Sequence, residues 1–271
     1  MDTRPERQWD WLLAILYLLI ILITAGRLTI TDWLPDLNIV RKLAWQGALL
    51  GMLLGHSRFK RRTVTFLAIG YSLVSLAGAL GSVIGTDVEL KERLLSLGGR
   101  LLFAISEYAQ YRPIKDHLFL ISQLSIVYWC IGLMGGYMLV RHANLFVAIV
   151  PTGFTSLVVH NIDVSHPTRI WLLGLYMLFA FALIGRQYYI TNRLLWSKQQ
   201  VDISPEASMD FTGGILISIT VITFIAWSLP TFNANVPALS SAWDQITSPW
   251  TSNRERAGDA FAAINSTKES V

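Results

Sequence analysis

The chain alternates long apolar runs with short polar segments along most of its length. About 20 mostly apolar residues are needed to cross the hydrocarbon core of a bilayer as a helix, so each long run is a candidate span. Seven runs predict transmembrane helices, at 10–30, 39–56, 63–84, 117–140, 143–160, 168–190 and 211–229. The first is too long for the core of a cleavable signal peptide, and we expect it to remain as an uncleaved span.

The segment between the third and fourth runs has a different pattern. Thr86 and Glu89 have the spacing of a capping box, which would start a helix. Apolar residues then recur three or four positions apart, at Leu90, Leu94, Leu97, Leu101, Ile105 and Tyr108. This period predicts an amphipathic helix over 87–110 that lies on the outer membrane surface. A lid or a docking surface for a partner is the functional alternative.

The composition agrees with an all-α, polytopic membrane bundle. The chain is 53% hydrophobic and only 15% charged, with a mean hydropathy of +0.46. A pI near 9.3 would suggest nucleic acid as the partner of a soluble domain. Here the basic residues cluster in short loops between apolar runs, so we expect the lipid bilayer as a partner and no nucleic acid.

The same basic residues predict the orientation of the bundle. With a cytoplasmic N-terminus, the inner segments hold Arg4, Arg7, Arg58, Lys60, Arg61, Arg62, Arg141, Arg186, Arg193 and Lys198, whereas the short outer loops 31–38 and 161–168 hold no Lys or Arg. Lys and Arg in short loops favour the cytoplasmic side. Arg27 and the pair Arg41-Lys42 fall near predicted outer ends, where we expect them to snorkel to the headgroups.

Beyond the spans, two segments carry helix signals. The sixth span is predicted to continue into the cytoplasm to about Gln200, and Ser204-Pro205-Glu206 would start the seventh helix. After Pro230 the chain is polar, with apolar residues at helical spacing from Ser240 onward. Seven spans place residues 230–271 outside the cytoplasm, as an extracytoplasmic stalk with short amphipathic helices.

Candidate chemistry is sparse. The sequence contains no phosphate-binding loop, nucleophile elbow or dinucleotide fingerprint, so we expect no catalytic and no cofactor-binding residues. Cys130, the single cysteine, is expected to pack in the middle of a span. His160, Asp163 and His166 carry the side chains that bind zinc, but their spacing matches no helix-borne metal motif. They are therefore candidate metal ligands, and the simpler alternative is that they are ordinary polar residues of a loop.

Small residues give a stronger pattern. Three sets repeat at intervals of four: Gly47, Gly51 and Gly55 in the second span, Gly81 and Gly85 at the end of the third, and Gly132 and Gly136 in the fourth. In lipid, such repeats let helix backbones approach closely. We expect these glycines to form helix contacts within the bundle rather than a dimer face.

Several stretches resemble the N-terminal membrane region of bacterial transglutaminase-like membrane proteins of the TgpA type, in the form found in Chloroflexi. They are WLLAILYLLIILITAGRL and DWLPDLNIV at the start, GALLGMLLGHSRF in the second span, and then WLLGLYMLFAFALIGRQYY, NRLLWSKQQVDISPEASMDFTGGILIS, WSLPTF and SSAWDQITSPWTSNRERAGDAFAAIN. The segment VDISPEASMDF and the Trp243 and Pro249-Trp250 positions are the most specific. The resemblance covers nearly the whole chain.

The resemblance implies a helical anchor in the bacterial cytoplasmic membrane for an extracytoplasmic domain with a Cys-His-Asp triad. These 271 residues contain no such domain, and Cys130 lies within a predicted span, so no triad residue can be transferred to this chain. The expected function is therefore an anchor or scaffold that works with a transglutaminase-like domain in cis or in trans. The alternative is an independent polytopic subunit that binds a lipid, a pigment or a membrane complex; a transporter or intramembrane enzyme has less support.

Overall fold

The protein is described by a computed structural model that covers residues 10–84, 89–110, 116–163, 167–198, 213–214 and 217–221. The described residues form an all-α fold without strands. Its elements are α1 (Trp11–Thr29), α2 (Asn38–His56), α3 (Arg61–Ile84), α4 (Leu90–Ala109), α5 (His117–His142), α6 (Leu145–Ile162) and α7 (Trp171–Lys198), with a 3-10 turn at Pro167–Ile170 before α7. The predicted all-α class is confirmed.

Five helices, α1, α3, α5, α6 and α7, are long and apolar enough to cross a membrane. Helix α2 is outside this group because polar side chains such as Arg41, Lys42 and Gln46 lower its hydropathy. Of the predicted span 211–229, only residues 213–214 and 217–221 are described, and the predicted stalk 230–271 and the Ser204-Pro205-Glu206 helix start lie outside the described residues. The described part of the chain therefore supports a multi-pass membrane protein but not the count of seven.

Polar side chains set where several helices begin. The Asp10 carboxylate accepts a hydrogen bond from the Leu13 amide at 2.8 Å and starts α1. Asp116 does the same for α5 through the Leu118 amide at 3.0 Å, and Asn144 for α6 through the Phe146 amide at 3.1 Å. Ala143 ends α5 in the left-handed region, with φ of 53°. Ala143 in this conformation and the capping residue Asn144 thus form the tight turn after which α6 runs back in the direction opposite to α5.

Contacts between helix ends define two ends of the bundle. At the first, Asp10 pairs with Arg186, and a guanidinium nitrogen of Arg141 donates to the Phe59 carbonyl at 3.0 Å. We call this the basic end. At the other, which we call the opposite end, α1 finishes against the end of α6 and the start of α7. Helices α2 and α5 run parallel to each other, both from the opposite end toward the basic end. Helix α7 ends at Lys198, close to the predicted end at Gln200.

Helix α4 packs near the opposite end. Leu97 and Leu101 contact the cluster formed by Leu80 of α3 and Leu118 and Ile121 of α5. Only part of the predicted apolar stripe is therefore buried. Leu94 and Ile105 are exposed and Ala104 is buried in their place, because the face that meets α3 and α5 is centred on Leu97 and Leu101. The side chains of Leu90 and Tyr108 lie outside the described set, as does Thr86.

Candidate functional site at the seam and the two ends of the bundle

The contact between α2 and α5 is lined by glycines of both helices, at positions 47, 51 and 55 of α2 and at positions 132 and 136 of α5. A Cβ atom at Gly47 would be 2.7 Å from the Trp129 carbonyl oxygen, and one at Gly132 would be 2.5 Å from the Ala44 oxygen. Gly51 faces the Leu133 carbonyl oxygen, still closer. Each helix thus inserts backbone carbonyls into the glycine positions of the other, a geometry that favours Cα–H···O contacts and dispersion between backbones.

The remaining predicted glycine pair is placed differently. A Cβ atom at Gly81 would have only the Arg93 Cβ within 4 Å, at 3.9 Å. Gly85 lies outside the described residues. The end of α3 therefore meets α4 through ordinary side-chain packing at this point, without the backbone contact that α2 and α5 make.

Two further glycines receive tyrosine hydroxyls, which sequence reasoning missed. The Tyr17 hydroxyl of α1 occupies the space beside Gly135 and donates to the Gly132 carbonyl at 3.0 Å. The Tyr176 hydroxyl of α7 fits beside Gly153 in the same way and donates to the Ile149 carbonyl at 2.7 Å. The sequence did carry a signal for these contacts. A tyrosine in the middle of an apolar run lies away from the headgroups, so its hydroxyl needs a hydrogen-bond partner inside the bundle.

The opposite end holds a buried ion pair. Arg27, at the end of α1, donates to the Asp163 carboxylate at 2.7 Å, and both side chains are at most 3% exposed. Arg169, before α7, is 3.9 Å from the same carboxylate oxygen and donates to the Ile30 carbonyl at 2.6 Å. The end of α1 and the segment that joins α6 to α7, which are far apart in sequence, thus meet at one carboxylate.

The expectation that Arg27 snorkels to the headgroups is therefore wrong. Its side chain turns into the protein because Asp163 offers a carboxylate there, and a buried guanidinium needs a paired charge more than it needs water. Arg41 and Lys42, by contrast, are exposed at the start of α2.

The candidate metal ligands are only partly brought together. His160 and Asp163 follow one another at the end of α6, whereas His166 lies outside the described residues. Within the described ranges, no three His, Cys, Asp or Glu side chains are grouped so that they could hold a metal ion. The Asp163 carboxylate is already neutralised by Arg27, which a cation would have to displace.

At the basic end, Asp10 joins α1 to α7. Arg186 donates to both oxygens of this carboxylate, with Nε at 3.2 Å from each. Burial raises the pKa of Asp10, but the hydrogen bonds from Arg186 and from the Leu13 amide outweigh it and hold the pKa below its ordinary value. Asp10 is also the one acidic residue at this end among the described residues.

This lowered pKa gives a pH-dependent contribution to stability. Because the folded-state pKa of Asp10 lies below the unfolded-state value, its contribution is complete above the unfolded-state pKa and is lost as the pH falls through the folded-state pKa. We expect Asp10→Asn to lower the thermal unfolding temperature in detergent at pH 7. The difference from the parent should disappear in strongly acidic buffer. A difference that is equal at all pH values would contradict the role of this carboxylate.

Charge is distributed unequally between the two ends. Among the described residues, the opposite end has seven basic and seven acidic residues. The basic end has one acidic residue, Asp10, and eight basic residues: Arg58, Lys60, Arg61, Arg62, Arg141, Arg186, Arg193 and Lys198. Arg27 and Asp163 are the only buried charged residues of the described part, and they lie at the opposite end, so the described interior between the two ends is uncharged. Thr24, Thr152 and Ser156 supply hydroxyls there that bond to carbonyls or to each other.

Cys130 is not the packed core residue that the sequence suggested. It is exposed on the surface of α5, because the buried faces of this helix are taken by Trp129 and by the glycines. Trp129 instead donates its indole N–H to the Ser72 hydroxyl of α3 at 2.7 Å.

Comparison with known proteins identifies no relative: no protein family, curated protein or solved structure matches this chain. The geometry described above is therefore the basis for assigning a function.

Proposed function

We propose that this chain is a membrane anchor or scaffold whose tail, residues 230–271, holds an extracytoplasmic transglutaminase-like domain in cis or in trans. The observation that carries the proposal is the backbone contact between α2 and α5 within an uncharged interior. Transporters place polar and ionisable groups at mid-depth to bind their substrates. In this bundle, two helices pack through glycines and an ion pair joins helices at each end. Such an arrangement suits a rigid support better than a transport pathway.

The proposed orientation has the N-terminus in the cytoplasm of a bacterial cell and the tail outside the cytoplasmic membrane. The excess of Lys and Arg at the basic end supports it, since basic residues favour the cytoplasmic side. The balanced charge at the opposite end, including the Arg100–Asp116 pair at 2.8 Å, fits an extracytoplasmic surface. The amphipathic α4 is then proposed to lie at the outer headgroups.

A second candidate is an independent polytopic subunit within a larger membrane complex, binding a lipid, a pigment or a protein partner. The exposed apolar surface of α3 favours it. Phe66, Leu73 and Val74 are each more than 60% exposed, and lipid chains or a neighbouring membrane protein could cover them.

A single engineered cysteine tests the anchor proposal. In a Cys130→Ser background, Ser252→Cys should react with a membrane-impermeant maleimide in intact cells, whereas a Ser57→Cys control at the basic end should react only after permeabilisation. The reverse pattern would overturn the orientation. The Cys130 replacement should be tolerated because this side chain is exposed on the bundle surface.

The same Ser252→Cys site then tests the partner. Loaded with a thiol-linked photocrosslinker in membranes of the source organism, it should give a product whose second polypeptide contains a transglutaminase-like domain, and the Ser57→Cys site should not. If the tail crosslinks only to lipid or to unrelated membrane subunits, the anchor proposal fails and the second candidate is favoured.

A further inference from the structure

Four basic side chains stand together at the basic end, in the segment that joins α2 to α3. Arg58, Lys60, Arg61 and Arg62 are all exposed, and residues 54–66 contain no Asp or Glu. Within the described part of the chain, none of the four has an ion-pair partner, unlike Arg27 and Arg186. The guanidinium of Arg141 donates to the Phe59 carbonyl and holds the segment against the end of α5, which brings a further positive charge to it.

The first turns of α3 form an open depression under these charges. It has a volume of about 480 Å³ and is lined by Arg61, Arg62, Thr65 and Phe66. The polar residues of this wall are Arg61, Arg62 and Thr65, so two cationic residues and one hydroxyl residue border the depression. Guanidinium groups bind phosphate oxygens through paired N–H donors, so this wall has the chemistry of a phosphate site.

Below the depression, α3 continues as an apolar face. Arg62, Phe66, Ile69 and Leu73 follow one another at intervals of three or four residues and so share one face of the helix. Phe66 is 76% exposed, Ile69 54% and Leu73 66%. Because α3 is long and apolar enough to span the membrane, this face lies where acyl chains run, directly beneath the basic wall.

We propose that this surface, Arg61, Arg62, Thr65, Phe66, Ile69 and Leu73, binds an anionic phospholipid. The phosphate contacts Arg61 and Arg62 at the headgroup level, and one acyl chain lies along Phe66, Ile69 and Leu73. A soluble phosphate compound would use the basic wall and leave the apolar face uncovered. The continuity of the two surfaces along one helix face points to a lipid.

The test compares two adjacent pairs of exposed cations on purified full-length protein. Arg61→Gln/Arg62→Gln removes the proposed contacts, and Arg41→Gln/Lys42→Gln removes the same charge at the opposite end. Binding of phosphatidylglycerol is measured by native mass spectrometry in detergent. Each Lys or Arg near an anionic surface contributes about 1 kcal/mol, so the first variant should bind about 30-fold more weakly than the parent. The second variant should bind as the parent does.

Other ligands and a conservative variant test whether the site requires a lipid and a positive charge. Phosphatidylcholine should bind more weakly than phosphatidylglycerol, glycerol phosphate should not bind measurably, and Arg61→Lys/Arg62→Lys should retain most of the affinity. An equal loss in both Gln variants would show general charge attraction and overturn the proposal. Glycerol phosphate binding as strongly as the lipid would show a soluble-phosphate site, which also overturns it.

Discussion

Asp163→Asn is expected to destabilise the bundle by about 3–5 kcal/mol, the usual cost of removing one partner from a buried ion pair. The substitution keeps the volume of the side chain but leaves the Arg27 guanidinium buried, at 3% exposure, without a charge to balance it. Arg169 cannot replace the carboxylate, since it carries the same charge as Arg27. The measurement is the midpoint of thermal or denaturant unfolding in detergent, compared with the parent.

A double replacement separates the ion pair from the packing around it. Arg27→Met with Asp163→Leu removes both charges, and buried pairs replaced by apolar side chains of similar size are often as stable as the original or more so. We expect the double variant to recover most of the stability lost in Asp163→Asn. The exposed ion pair of Arg100 in α4 with Asp116 at the start of α5 is the matched control, and Arg100→Gln should cost no more than about 1 kcal/mol. Equal losses for Asp163→Asn and Arg100→Gln would show that Arg27 and Asp163 are hydrated in the folded protein.

Gly51→Ala is expected to separate α2 from α5 and to cost about 1–3 kcal/mol, with Gly51→Leu costing more. A Cβ atom at Gly51 would collide with the Leu133 backbone carbonyl oxygen, which cannot rotate away as a side chain could. Relief requires the two helices to move apart, and that loosens the neighbouring contacts at Gly47 and Gly132. Thermal unfolding in detergent measures the loss.

Gly70 of α3 provides the matched control, because a Cβ atom there would have no atom within 4 Å. Gly70→Ala should leave stability unchanged or slightly raised, since Ala is the better helix former. If Gly51→Ala and Gly70→Ala behave alike, the contact between α2 and α5 is looser in solution than the structure has it.

The apolar runs by themselves predicted an all-α fold whose long helices could cross a membrane. Five of the predicted spans recur as helices that could cross a bilayer, and their boundaries lie close to the predicted ones because the polar segments between them carry local signals such as Asp10, Asp116 and Asn144. A residue that caps a helix acts on amides two or three positions away, so its effect is readable from the sequence alone. The repeat of Gly47, Gly51 and Gly55 likewise marked a face for close packing.

The tertiary structure alone decided which partners these features have. Nothing in the sequence says that Gly51 faces Leu133, that Tyr17 reaches Gly132, or that Arg27 meets Asp163 across 136 positions. Periodicity fixes which residues share a helix face, but helix neighbours depend on how all faces fit together at once. Arg27 shows the consequence most plainly: judged alone it belongs at the headgroups, and it is buried only because the end of α6 brings it a carboxylate.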